Sequence, residues 1–400
     1  MGIIAVDQIG PRGEPLQDVD TTLSPTEKFG LLAQALPGAN VEHYCGVRVV
    51  KFRDQVILAA QVTHLGHPWP EFKKRIQIPP RWIDVYRCAL ADRLTPRFVG
   101  IYHYDGVTVF VDFDPRTYVL RRANNSAAHV ATNDLYQAQT LGVFTRADRN
   151  GNRLTSVRAD LLADYLLGDV RAHNPYLGVF ESFNSEFLTG EQIKAMHAID
   201  QMYAALWPDA FQVEWAGFYL EYRADEFLRR AHADRLIEFQ KNKRRGGLDY
   251  DLVFKEPPAV VFFGDLKASN AASNEAPGND AADLKRCIQQ YGRFWYVIYE
   301  HETWHSRDEG DVPVMAWNEW RLSVGHVFRN GYDPLSYAGR FKSAVRFVGM
   351  KILEVNEANS HVVLRDFNQG HQPSGEDRAV KVMIAKRNID NFLIYSQDLV

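Results

Sequence analysis

The stretch from Asp251 to Lys267, Asp-Leu-Val-Phe-Lys-Glu-Pro-Pro-Ala-Val-Val-Phe-Phe-Gly-Asp-Leu-Lys, constrains this 400-residue chain more than any other. It holds two apolar, β-rich runs, Asp251–Phe254 and Ala259–Asp265, on either side of Lys255-Glu256-Pro257-Pro258. Such runs form strands, and a tight turn at the two prolines makes them an antiparallel pair. Side chains two apart in a strand share a face. Asp265 and Lys267 therefore look one way and Leu266 the other, while the return of the chain brings Asp251 toward Asp265. Two adjoining carboxylates repel, and a hard cation relieves the repulsion. Magnesium takes a couple of carboxylates together with waters and phosphate oxygens. A lysine beside them can orient or deprotonate a water and steady charge growing on a phosphate. Together these are the parts of a metal-assisted phosphodiester hydrolase.

The flanks add an α/β layout. Thr189 and Gln192 have capping-box spacing before a helix that carries Ile193, Met196, Ile199, Tyr203 and Leu206, and Pro208 ends it. Glu214 to about Lys241 reads as one long helix or two joined ones, since Trp215, Phe218, Tyr222, Phe227 and Leu236 recur at helical spacing. After the two strands, Ala268 to Asp280 is rich in Ala, Ser, Asn and Gly and reads as a mobile loop. Ala281 to Tyr291 reads as helix and Phe294 to Tyr299 as strand. The tail reads as helix over Pro334 to Phe347, with strands at Ile352–Val355, Val362–Leu364, Val380–Ala385 and Phe392–Tyr395.

With its acid opening one strand and its Asp-x-Lys closing the next, the segment from Trp215 to Tyr299 resembles the PD-(D/E)xK nuclease superfamily, and within it the type II restriction endonucleases. The resemblance spans less than a quarter of the chain. It implies an α/β fold with a restriction-endonuclease-like core, a mixed sheet flanked by helices, joined to an N-terminal β-containing domain. It also implies Mg²⁺ as cofactor, double-stranded DNA as substrate, a homodimer, and cleavage to a 5′-phosphate and a 3′-hydroxyl. Carried onto this sequence, Asp251, Asp265 and the carbonyl of Leu266 would hold the metal, and Lys267 would activate the attacking water. The family often adds a glutamate from an upstream helix; Glu221 and Glu238 both qualify, with Glu221 preferred. The residue before Asp251 is Tyr250 where the family has proline, and Asp249 competes for the place of the first acid.

The remaining candidates are DNA contacts. One group is Arg121 and Arg122 with Asn124 and Asn125, near Asn133 and Gln137. A second is Lys243, Arg244 and Arg245 beside Lys241. A third lies in the tail: Gln369, Gln372, Ser374, Arg378, Lys381, Lys386 and Arg387. Such side chains read base edges or phosphates, although a basic run, Lys73-Lys74-Arg75 included, is more often a solvated face. The net charge of −4 excludes a uniformly basic nucleic-acid coat, so any DNA contact must be local.

The chain divides on this reading into an N-terminal α+β region, 1–173, that grips DNA, and a nuclease domain, 174–400. In the first region a short helix follows Ser24, strands begin at Val47, and Asp105-Gly106 turns a hairpin between Ile101–Tyr104 and Val107–Phe113. Asp114-Pro115 stops that strand. Pro68 to Pro80 reads as a connection and Val157 to Leu167 as helix. Three cysteines, Cys45, Cys88 and Cys287, suit neither a disulfide framework nor a four-Cys zinc site, so a reducing compartment is expected. With no signal peptide and no long apolar run, a soluble cytoplasmic protein without a membrane partner is expected.

One motif competes. His301-Glu302-Thr303-Trp304-His305 matches the H-E-x-x-H of zinc peptidases, and Glu319 lies downstream as an imagined third ligand. The motif needs a helix, and it follows a strand pattern. In a strand, residues four apart lie roughly 13 Å from one another, too far to share an ion. A third reading is a nuclease fold without activity, retained only for binding DNA.

Overall fold

The computed structural model describes residues 5–11, 15–120, 126–147, 152–170, 174–187, 190–241, 248–368 and 379–399. The chain forms two compact units, Met1–His173 with Asp390–Phe392, and Asn174–Ile389 with Leu393–Val400.

The first unit is built on a seven-stranded sheet, in the order Val143–Ala147, Arg153–Arg158, Val107–Phe113, Thr95–Tyr104, Gln55–Gln61, Val47–Phe52, Asn40–Tyr44. Only the pair Gln55–Gln61 and Thr95–Tyr104 is parallel. Val50, Ile57, Val99, Ile101 and Phe110 pack there against Leu32 and Leu36 of the helix Pro25–Ala35. That helix starts at Ser24 because a capping box satisfies its first amides: Glu27 N donates to Ser24 Oγ (3.2 Å) and Ser24 N donates to Glu27 Oε2 (2.7 Å). The hairpin turns at Asp105 and Gly106, both in the left-handed region with φ of 44° and 80°, as a two-residue turn requires.

Several expectations for this unit fail. Strands form well before Val47, at Val6–Ile9, Pro15–Asp18 and Asn40–Tyr44. Pro68–Pro80 holds a strand, Lys73–Ile78, paired with Ser126–Ala131. The Lys73-Lys74-Arg75 run is therefore not an open basic face, since Lys74 is fully buried and ion-paired with Asp20 at 3.0 Å. The helix expected over Val157–Leu167 loses only its first two residues: Val157 and Arg158 belong to the strand Arg153–Arg158, a 3₁₀ turn spans Ala159–Leu161 and α-helix spans Leu162–Leu167; pairing of Val157 with Phe110 on one side and Val143 on the other outweighs the local pattern. Cys45 and Cys88 form a disulfide with their Cα atoms 6.8 Å apart. The cysteine count therefore gives no warrant for a reducing compartment.

The second unit is numbered here from its first helix. Its elements are α1 (Pro175–Phe187), α2 (Ala195–Ala204), α3 (Trp215–Arg230), β1 (Ile237–Phe239), β2 (Leu252–Glu256), β3 (Ala259–Asn270) and β4 (Glu275–Asp280). There follow α4 (Ala281–Tyr291), β5 (Arg293–His305), β6 (Lys342–Asn356), β7 (Leu364–Phe367), β8 (Lys381–Ala385) and β9 (Leu393–Asp398). The main sheet runs from the short strand Ile193–Lys194 through β6, β5, β3, β2 and β1, and β9 also pairs with β6. It is a mixed sheet: β3 and β5 are parallel, and every other pair is antiparallel. A smaller sheet has the order β4, β8, β7.

Aromatic packing fixes both faces. On one face, Tyr176 of α1 meets Phe254, Phe262 and Trp295 edge-on, and Phe183 meets Phe227 of α3. On the other, Phe263 stacks on Tyr250 at 4.1 Å and touches Tyr291 of α4. Helix α4 starts where Asp280 accepts from Ala282 N and Asp283 N, and stops at left-handed Gly292.

The unit departs from the expected pattern in several places. The second candidate helix occupies Ala195–Ala204 and leaves Tyr203 and Leu206 exposed; Thr189, its expected cap, lies outside the described residues. Helix α3 ends at Arg230, and the chain then joins the sheet as β1. The expected loop 268–280 contains the end of β3 and all of β4. No part of the expected helix Pro334–Phe347 is helical: residues 334–340 form turns and 342–347 belong to β6, and Val362 and Val363 lie in a helical turn, Ser360–Val363, ahead of β7. No helix among the described residues is long and apolar enough to cross a membrane.

Candidate active site

The antiparallel register of β2 and β3 sets Leu252 opposite Gly264, so Asp251 falls opposite Asp265. Asp251 N donates to Gly264 O (3.0 Å), and Gln240 N donates to Asp251 O (2.8 Å), which tie the first acid to both neighbouring strands. Gly264 fits because a Cβ there would meet Trp295 O at 2.7 Å and the Phe254 ring at 2.8 Å. The residue before Asp265 must lack a side chain for β3 to lie this close to β5.

Asp265 is 1% exposed. Lys267 Nζ stands 2.5 Å from its Oδ2 as an ion-pair contact, and Asp251 adjoins it. No donor among the described residues meets either Asp265 oxygen at hydrogen-bonding angles. Burial holds the Asp265 carboxyl well above the usual carboxylate range, Lys267 offsets part of that rise, and Asp251 adds to it. Burial pulls the Lys267 ammonium down, but Asp265, Asp251 and Asp249 together lift it above its ordinary value. Leu266 stands between them with its side chain buried, leaving only its carbonyl to serve a metal.

Of the two candidate glutamates, Glu221 on α3 is the one whose charge interacts with this group. Burial raises its carboxyl, the ion-paired Lys241 and then Lys267 pull it back, and Asp265 adds to the rise. Glu238 instead ion-pairs with Lys255 and accepts from Gln240 Nε2. Asp249 is close enough to raise Lys267, but its Oδ2 accepts from Asp280 N (3.1 Å) and its carbonyl from Asn279 Nδ2 (2.7 Å). Asp249 thus ties the β2 lead-in to the end of β4, while Asp251 faces Asp265.

Two buried neighbours escaped the sequence reading. Tyr296 on β5 is held up well above a phenol's ordinary value, first by burial and then by the Asp265 charge. Asn279 donates its amide N–H to the Tyr296 hydroxyl (3.4 Å). The register Asp265↔Tyr296 could be found only once β3 and β5 were known to be parallel neighbours, and nothing in the sequence singles out Asn279.

The DNA-contact candidates divide. Arg121, Arg122, Asn124, Asn125, Lys243, Arg244, Arg245, Gln369, Gln372, Ser374 and Arg378 lie outside the described residues. Asn133 and Gln137 are buried in the helix Thr132–Leu141, out of reach of base edges. Arg387 is exposed, and Lys381 Nζ is 3.9 Å from Asp249. Lys386, expected on a phosphate, is engaged inside the protein: its Nζ is 2.7 Å from Glu300 Oε1 and donates to Asn270 O at 2.8 Å. Lys351 holds the other Glu300 oxygen at 2.8 Å. Lys386→Ala should therefore cost about 1–3 kcal/mol of stability and leave the salt dependence of DNA binding unchanged. Urea denaturation and a salt titration of binding check the two halves.

The H-E-x-x-H motif lies wholly on strand β5, where it cannot bring both histidines to one ion. His301 is buried, with Nδ1 2.9 Å from Thr303 Oγ1 and Nε2 3.4 Å from Lys342 Nζ. Burial and then Lys342 push its imidazole down to about 3. Glu302 pairs with Arg346 at 2.6 Å. Among the described residues, no three His, Cys, Asp or Glu side chains converge as a ready metal cage. A carboxylate pair left to complete its shell with water and substrate suits magnesium and does not suit a structural zinc.

No curated protein and no solved structure matches the chain. Residues 53–166, within the first unit, match the family model described as methylase-associated X1 (MTaX1).

Proposed function

We propose that this chain is the nuclease of a restriction–modification system, a Mg²⁺-dependent type II endonuclease acting on double-stranded DNA through a PD-(D/E)xK-like core. The observation that carries the reading is the Asp251–Asp265–Lys267 group. Two adjoining acids are held at the join of an antiparallel and a parallel strand pair, with the Lys267 ammonium as the one cation against the buried Asp265. Two carboxylates beside a single ammonium still repel, as the raised Asp265 carboxyl shows, and a further cation relieves that repulsion. The order helix, four strands, helix, strand from α3 to β5 supports the core, and the family match in the first unit supports the biological setting.

Asp251 and Asp265 would hold the cation, with the Leu266 carbonyl and Glu221 completing the protein's share. Magnesium bound there supplies Lewis-acid polarisation of the scissile phosphate and a more acidic water. Lys267 keeps its proton, because the surrounding acids raise it. Of the two roles open to it, its work is then to orient a water through its N–H groups and to balance charge growing on the phosphate, rather than to take the water's proton. A two-fold dimer would match a palindromic site.

The test is to incubate the purified chain with long unmodified duplex DNA, with Mg²⁺ and separately with EDTA. Discrete Mg²⁺-dependent fragments are expected. Intact DNA on several unmodified substrates with Mg²⁺ present contradicts the proposal.

A further inference from the structure

A cavity of about 410 Å³ opens in the first unit, within the size range of small-molecule sites. Its apolar wall is Leu90, Pro96 and Pro115, with the ring of Tyr86. Its polar wall is Arg97, Asp112, Arg153 and Tyr165, and Arg116 and Asp114 lie at its side. All of these residues fall inside the segment 53–166 that matches the family model.

The polar wall has two unspent groups. Asp112 is 8% exposed. Its Oδ2 accepts from Arg97 Nη1 (2.8 Å) and from the Tyr165 hydroxyl (2.9 Å). Its Oδ1 is buried with no hydrogen-bond partner among the described residues. A buried acceptor without a donor is costly, and burial holds this carboxyl above its ordinary range although Arg97 opposes the rise. The second group is Arg153. Arg97 is paired with Asp112, and Arg116 is held by both oxygens of Asp114. The Arg153 guanidinium has no hydrogen bond or ion pair among the described residues, which leaves the cavity one positive charge in excess.

A ligand that satisfies this wall carries an N–H donor and an anion on a flat, partly apolar body. We propose that the cavity binds a nucleotide whose base bears an exocyclic amine, the amine donating to Asp112 and the phosphate meeting Arg153, with the ring against Tyr86. Enzymes that read extruded bases use the same elements, a hydrogen-bonding edge and an aromatic wall. A free nucleotide and one swung out of a duplex share this chemistry. This site stands on the first unit alone and does not depend on the nuclease reading.

Deoxycytidine and thymidine monophosphates, titrated into the full chain by calorimetry, test it. Saturable binding of the cytosine nucleotide is expected, with the thymine nucleotide at least ~10-fold weaker, because thymine offers an acceptor oxygen where cytosine has its amine. Arg153→Ala, an exposed change, should weaken deoxycytidine monophosphate several-fold and leave the nucleoside deoxycytidine unaffected. Asp112→Asn should erase the preference for cytosine over thymine; should that variant not fold, the Arg153 result decides alone. Displacement of the bound nucleotide by duplex DNA identifies an extruded base as the source, and failure to displace it identifies the free nucleotide; both uphold the site. Absence of saturable binding, or equal binding of both nucleotides untouched by Arg153→Ala, overturns it.

Discussion

Asp265→Asn is expected to stabilise the metal-free protein by about 1–2 kcal/mol while removing its response to Mg²⁺. The folded-state pKa of Asp265 is raised even with Lys267 beside it, because burial and Asp251 outweigh that attraction. A carboxyl with a raised folded pKa contributes most below its unfolded value near 4, and that contribution is lost as pH rises through the folded value. The wild type without metal therefore gives up stability across this window, and the asparagine variant does not. The advantage of Asp265→Asn should grow from pH 4 upward and level off above the folded pKa. Mg²⁺ should reverse the order. An ion that binds only the folded state adds about 2.7 kcal/mol at a hundred times its Kd, and it should do so for the wild type alone. Melting curves of both proteins at several pH values, with Mg²⁺ and with EDTA, read all of these effects. A variant less stable than the wild type at every pH would contradict the electrostatic account.

Lys267→Met should move stability the other way. Its ammonium is raised by Asp265, Asp251 and Asp249, so its stabilising contribution is present throughout the neutral range and is lost only as pH rises above its ordinary value. Removing it leaves two adjoining acids without their cation, at a cost of about 1–3 kcal/mol in EDTA. Mg²⁺ should recover much of that loss, since the metal ligands remain. Cleavage should nevertheless fall by roughly 10²–10⁴-fold, the range set by loss of a positioned group that orients the nucleophile or stabilises charge. Stability in EDTA and in Mg²⁺, with cleavage rates under single-turnover conditions, separates these effects. Two neighbours in one ion pair thus give opposite stability changes and the same functional loss, a pattern that general damage to the fold would not produce.

The features legible in the sequence are the local ones. Asp251 leads into β2, and Asp265 and Lys267 lie on β3, two apolar strands joined by a tight turn at Pro257-Pro258, so period and turn bring the three together, while a β-bulge at Phe254/Lys255 sets Asp251 opposite Asp265. Helix α4 is announced by Asp280 before it and Gly292 after it. The misread segments are those whose conformation is set from far away. Ala268–Asn270 extends β3 because β5 runs beside it as far as His301, and β4 exists because β8, a hundred residues later, pairs with it. Residues 342–347 are strand because they pair with the end of β5, against their local pattern. The choice between Glu221 and Glu238 could not be made from composition: both follow apolar helical spacing, and only the early end of α3 and the entry of β1 into the sheet separate them. Lys386 and Lys74 show the same limit for charge, since nothing local distinguishes a buried lysine with its own acid from one that waits for phosphate.

The most direct test of the central claim compares the wild type and Asp265→Asn, purified side by side, on the same unmodified duplex DNA in Mg²⁺, with binding followed in Ca²⁺. The account predicts discrete fragments from the wild type, none from the variant, and DNA binding by the variant as well as by the wild type. Equal cleavage by both proteins, or no cleavage by either, would contradict it.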